Sequence, residues 1–163
     1  MPHPTIGHIH LTVADLDRAL SFYRDLLGFT VTARIPGRDG TDSAVFLSAG
    51  GYHHHIGLNT WAGKDAKPAP KGLGHAGLYH VAILYPTRRD LAVALKRLFD
   101  AKYPIHGSAD HGVSEAIYLD DPDGNGIEIY ADRPRETWKV SNDGMVEMVS
   151  EKLDIDDLLS EIK

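Results

Sequence analysis

The sequence predicts an α+β chain: two β-α-β-β-β modules that share a core, followed by a C-terminal helix. Three observations carry this. Superposing His8 on His80 shifts the chain by 72 residues and lays "DLLGF" over "RLFDA", so one pattern is written twice. Each copy opens on an alternating stretch, "GHIHLTV" and then "LYHVAIL", and passes into apolar residues at helical spacing. A chain of 163 residues fits one domain or two small repeats, whereas a single copy of about 70 residues would bury little core alone.

In module one (5–62), Ile9, Leu11 and Val13 fall on one face of the first strand. His8, His10 and Thr12 fall on the other, which places His8 midway along that strand. Asp15 is the expected N-cap of the next helix. Leu16, Ala19, Leu20, Tyr23, Leu26 and Leu27 recur at its period, and Gly28 is its expected C-cap. "TVTARI", "SAVFLSA" and "HHHIGLNTW" read as three further strands, separated by "PGRDGTD" and a "GG" turn. Residues 63–77 are rich in Gly, Pro and Lys and read as a linker.

Module two (78–134) repeats the order. "TRRDLAVALKRLFDA" is its helix, with Leu91, Leu95 and Leu98 on one stripe. "YPIHGSADHG", "SEAIYLDD" and "IEIYAD" supply the strands, the last two joined by "PDGNG". The tail, 135–163, ends in an acidic amphipathic helix, for which Met148, Leu153, Leu158, Leu159 and Ile162 are the expected docking residues.

Composition narrows the chemistry. There is no cysteine, which removes disulfides and thiolate sites and suits a reducing cytoplasm. The net charge of −6 and the lack of a basic cluster argue against nucleic acid as a partner. No apolar run is long enough for a transmembrane helix, and "MPHPTIGHIH" lacks the pattern of a secretory signal. Ten histidines stand out, because imidazole is the commonest metal ligand.

His8 and His80 hold the same place in the two copies. Glu128 shares a strand face with Tyr130, opposite Ile127 and Ile129. Together the three form a two-His, one-carboxylate set, which suits a divalent iron or manganese centre with open positions; zinc and nickel accept the same donors. His10 shares a face with His8. His3, His75 and His106 lie in expected surface loops. Phe46, Tyr52 and Trp61 are expected in the core rather than along a pocket.

"HIHLTVADLDRALSFYRDLLGF" and "AIYLDDPDGNGIEIYADRP" together resemble the vicinal oxygen chelate superfamily, also called the glyoxalase/bleomycin-resistance/dioxygenase superfamily. The resemblance covers residues 5–134. It implies paired curved sheets enclosing a metal cleft, with His8, His80 and Glu128 as ligands. Within the superfamily the chain looks most like the extradiol ring-cleavage dioxygenases, and in particular the N-terminal half of two-domain bacterial catechol 2,3-dioxygenases. That likeness implies Fe(II), dioxygen and a catechol-type or other vicinal-oxygen substrate. It implies an acid/base histidine from "YHHHIGL", best matched by His54 with His53 and His55 beside it. It also implies a substrate-contacting Tyr118, ten residues before Glu128, that donates a hydrogen bond to a substrate oxygen. His111 is a further substrate-contacting candidate, as are His10 and His55. If one of His53 to His55 is instead a fourth ligand, glyoxalase-type lyase, isomerase or epimerase chemistry follows. Metal-free members of the superfamily sequester drugs, but they lack the ligand triad. A homodimer is expected, because an open sheet edge and an apolar tail stripe invite pairing.

Overall fold

The computed structural model describes residues 3–70 and 76–163. His75 lies outside them. The chain divides into two compact units, Met1–Ala69 and Pro70–Lys163.

The first unit runs β1 (Ile9–Thr12), α1 (Leu16–Leu20), β2 (Thr30–Pro36), β3 (Asp42–Ser48) and β4 (Ile56–Asn59). Its four strands lie in the order β1-β4-β3-β2. The first strand joins parallel to the last, and the other pairs are antiparallel. Asp15 caps α1 by accepting from the Arg18 N–H. The helix then widens into a π-helical stretch, Ser21–Leu26, where Leu27 N–H donates to Phe22 O. This extra residue per turn lets two successive aromatics, Phe22 and Tyr23, both face inward at 1% and 0% exposure. Gly28, at φ +89°, ends the helix in the left-handed region. Val13, Val45, Leu47 and Leu58 meet the helix from one face of the sheet and are fully buried.

The second unit repeats the plan as β5 (Val81–Leu84), α2 (Arg88–Asp100), β6 (Gly107–Asp110), β7 (Ser114–Asp120) and β8 (Gly126–Asp132), in the order β5-β8-β7-β6. The Thr87 side chain caps α2, and Leu91, Leu95 and Leu98 are fully buried, as their spacing predicts. Ile117, Ile127 and Ile129 form the sheet side of that core. A short helix, α3 (Ile155–Ser160), packs against α2. No helix among the described residues is long and apolar enough to cross a membrane.

Four expectations are corrected. His8 and His80 do not lie midway along strands; each immediately precedes one, since β1 pairs only from Ile9 opposite Ile56 and β5 from Val81 opposite Ile127. His53, His54 and His55 belong to the turn before β4. Ladder pairing starts at Ile56, because Gly50 at φ +85° and the residues after it reverse the chain first. Phe46, Tyr52 and Trp61 are outside the core: Phe46 in β3 is half-buried, and Tyr52 and Trp61 are exposed in the turns before and after β4. In the tail, Leu153 and Leu158 dock, but Met148 stays exposed because the helix begins only at Ile155.

Candidate metal and substrate site

The helix-free face of each sheet carries the chemistry-bearing residues. In the second unit one ladder row runs Ala82, Glu128, Tyr118 and Gly107 across four strands. Alternation puts Ile127 and Ile129 into the core, so Glu128 must point to the open face, and it remains half-buried there. His80 stands at the lip of the neighbouring strand, with Nε2 2.9 Å from Glu128 Oε2. Gly126 makes this approach possible: a Cβ at that position would lie 2.3 Å from the Tyr79 carbonyl oxygen.

Two donors held about 2.1 Å from one divalent ion, at a right angle, stand about 3 Å apart. The His80–Glu128 pair has that spacing and supplies one imidazole nitrogen and one carboxylate oxygen, so these residues fit the metal that the resemblance implies. His80 Nδ1 is buried without a hydrogen-bond partner, so the ring is oriented at Nε2 and by the rings of Tyr79 and Tyr118 beside it. Within each unit, among the described residues, no three His, Asp or Glu side chains group closely enough to complete a metal site.

Tyr118 faces the same pair. Its phenol is pushed above the ordinary tyrosine value, first by burial and then by the charge of Glu128. Its hydroxyl lies 2.6 Å from His111 Nε2, which brings the two predicted substrate-contacting residues together. His106 sits apart on the surface, 3.1 Å from Asp120.

In the first unit the corresponding face is a wall of rings. His8 and His54 approach with centroids 4.5 Å apart, and Phe46 packs on His54 at 4.9 Å. His53 Nδ1 and His54 Nδ1 are 2.7 Å apart, so one ring donates to the other. A bulge in β2 frees Thr32, whose hydroxyl donates to the His53 carbonyl at 2.7 Å and pins the turn. His54 is held below the ordinary imidazole value, first by burial and then by the imidazoles of His53, His8, His10 and His55. His55 is turned into its own loop, where Nδ1 accepts from the Ala49 N–H at 3.2 Å. His10 lies between Phe46 and Trp61 and covers Gly57; a Cβ there would meet the imidazole at 3.0 Å.

The repeat gives these positions counterparts. His10, two residues after His8, pairs with Gly57, as Ala82, two residues after His80, pairs with Glu128. Phe46 opposite Gly57 answers Tyr118 opposite Glu128. β4 itself, "IGLN", carries neither carboxylate nor imidazole.

Sequence reasoning missed one cluster. Glu115, only 4% exposed, lies on the core face of β7. It accepts from Arg88 Nε at 2.6 Å and Arg133 Nη2 at 2.9 Å. The signal was a carboxylate in phase with Ile117 and Leu119, where alternation demands an apolar residue.

Comparison with known proteins gives the family. A sequence-family model, the Glyoxalase/Bleomycin resistance protein/Dioxygenase superfamily, matches residues 5–129. The chain is 43% identical over 156 residues to a catechol-2,3-dioxygenase of Bacillus subtilis (strain 168), an alignment covering 96% of this chain and 51% of that protein. It is 30% identical over 132 residues to biphenyl-2,3-diol 1,2-dioxygenase 3 of Rhodococcus globerulus, covering 79% of this chain and 64% of that one. The chain thus spans about half to two thirds of the length of these curated relatives. Among solved structures, a glyoxalase/dioxygenase from Nostoc punctiforme matches with a TM-score of 0.64 at 21% identity, over 80% of this chain and 92% of that one. A lactoylglutathione lyase from Agrobacterium tumefaciens matches at 0.58 and 22%, over 80% and 96%. At such identities these two show the fold alone.

Proposed function

The chain belongs to the glyoxalase/bleomycin resistance protein/dioxygenase superfamily, and from that premise we propose that it is a metal-dependent extradiol-type dioxygenase. Its substrate would be a catechol or another small molecule with vicinal oxygens. The observation that carries the reading is the His80–Glu128 pair at 2.9 Å with Tyr118 and His111 on the same sheet face. The 43% identity to a protein named as a catechol-2,3-dioxygenase supports it.

His80 and Glu128, with His8 carried over from the sequence reading, are the proposed ligands of a divalent metal, Fe(II) first and Mn(II) next. When bound, that metal supplies open positions for two substrate oxygens and for dioxygen. His54 is the proposed acid/base group. With its pKa held below the ordinary value it is neutral near pH 7 and able to take a proton from a substrate hydroxyl. Tyr118 and His111 orient the substrate oxygen. The exposed rings of Trp61 and His10, with Phe46 beside them, offer an apolar, planar surface against which an aromatic ring can stack. The absence of a carboxylate or imidazole from β4 favours a three-residue ligand set over the four-ligand arrangement of a lyase. A homodimer is part of the proposal. It rests on the open β1 edge and on exposed Val140, Met145, Val146 and Met148.

The test is metal content by ICP-MS on untagged protein, beside Glu128→Ala prepared identically, followed by an anaerobic Fe(II) assay with catechols. About one iron or manganese ion per chain, lost in the variant, and oxygen-dependent ring cleavage are expected. Failure to retain any metal after reconstitution overturns the reading.

A further inference from the structure

The chain after β8 returns to the site as a strap. Asp110 and Glu151 exchange backbone hydrogen bonds, Asp110 N–H donating at 3.0 Å and Glu151 N–H at 2.9 Å. Val149 N–H donates to the His111 carbonyl at 3.1 Å. Downstream, Leu153 and Leu158 are buried at 3% and 0% exposure. Arg88 reaches from α2 to Asp157 at 2.6 Å and Glu161 at 2.8 Å. The strap also lies close over Gly112, where an added Cβ would meet Val149 Cγ2 at 3.3 Å.

The strap also presents the Val149 carbonyl to the His111 side chain. His111 Nδ1 lies 2.7 Å from Val149 O. A carbonyl oxygen can only accept, so Nδ1 carries the proton, and in the neutral ring Nε2 is left with a lone pair. That nitrogen is 2.6 Å from the Tyr118 hydroxyl, which therefore donates to it. Glu128 faces the same hydroxyl as a second acceptor, since His80 engages only its Oε2; the 2.6 Å contact gives the proton to His111.

We propose that Val149 is a positioning residue: its carbonyl fixes the Nδ1–H tautomer of His111, and through it the direction of the Tyr118 hydroxyl. Tyr118 then meets a substrate as a hydrogen-bond acceptor, the reverse of the donor role expected from sequence. A substrate that keeps an O–H at that position is selected, and one O-methylated there is rejected. The substrate consequence rests on the proposed dioxygenase reading; the tautomer does not.

The test is a long-range 1H–15N histidine correlation on the metal-free full chain at pH 8, with His111 assigned through His111→Gln. His111 is expected in the Nδ1–H form. An Nε2–H or doubly protonated pattern overturns the proposal, and this native spectrum decides the tautomer even where a variant does not fold. Val149→Pro removes the N–H that holds the strap to His111, and Glu151→Pro removes the one that holds it to Asp110. Both are expected to shift His111 towards the Nε2–H form, with the His106 signals unmoved. A native tautomer in both folded variants would overturn the role of Val149. Because neither metal nor turnover enters these spectra, a failed catechol assay leaves the result readable, and a failed tautomer leaves the dioxygenase reading standing.

Discussion

Glu128 holds the register position in the second sheet that Gly57 holds in the first. The two copies have diverged there in a coupled way: where one has a carboxylate beside Ala82, the other has no side chain beneath the ring of His10. Only one of the two positions should therefore matter to a metal. Glu128→Gln, which keeps the shape and removes the charge, is expected to weaken metal binding by about 100-fold or more. Gly57→Ala should leave metal content unchanged and displace the His10 ring, at a stability cost of about 1 kcal/mol. Titration calorimetry with Fe(II) or Mn(II), beside urea unfolding, separates the two outcomes.

Gly126 is a sharper case. A methyl group 2.3 Å from the Tyr79 carbonyl oxygen forces backbone apart. Gly126→Ala is expected to cost about 3 kcal/mol, with β8 pushed off β5 and Glu128 carried away from His80. A urea midpoint indistinguishable from that of the native chain would contradict this contact.

The Arg88–Glu115–Arg133 cluster predicts a non-additive pair. Arg88→Met leaves a buried carboxylate with one partner, so a loss of about 3 kcal/mol is expected. Adding Glu115→Met removes that uncompensated charge and should recover most of the loss. Hydrogen exchange at Leu158 should rise in the single variant, since Arg88 also holds Asp157 and Glu161.

Asp110 sets an acid limit. The Arg133 guanidinium beside it, with help from the Gly112 N–H, holds its carboxyl below the ordinary value. A carboxyl with a lowered folded pKa contributes stability that is fully present above its unfolded value and is lost as pH falls through the folded one. Stability should therefore decline below about pH 4. Asp110→Asn should lower stability at pH 7 and flatten that decline, as read from urea midpoints across the acid range.

Much of this was legible in the residues. Alternation around Glu128 and the leucine stripe of α2 identify core and open faces, because each follows from a fixed side-chain period. The strand limits at His8 and His80 were not, since they depend on where the partner strand begins pairing, a non-local fact. The turn of His53 to His55 was misread for the same reason: three identical neighbours carry no alternation to betray the end of a strand. Tyr118 and His111 were both singled out, yet their mutual hydrogen bond and its polarity needed Val149, a residue 38 positions further on with no chemistry of its own. Glu115 was passed over because a carboxylate within an apolar strand reads as an edge unless its arginines are known.

The parallel joining of first strand to last gives both sheets a shared kinetic character. During synthesis β1 emerges early, but its ladder partner β4 begins only at Ile56, and β5 waits in the same way for β8. Each loop must close before its pairing repays the entropy lost, so the hairpins β2–β3 and β7–β8 are free to form first. His8 and His80 thus each stand just ahead of a strand of high contact order, recruited late. A chain interrupted before Gly126 would still hold every histidine of the protein, with neither a partner strand for β5 nor the carboxylate that faces His80.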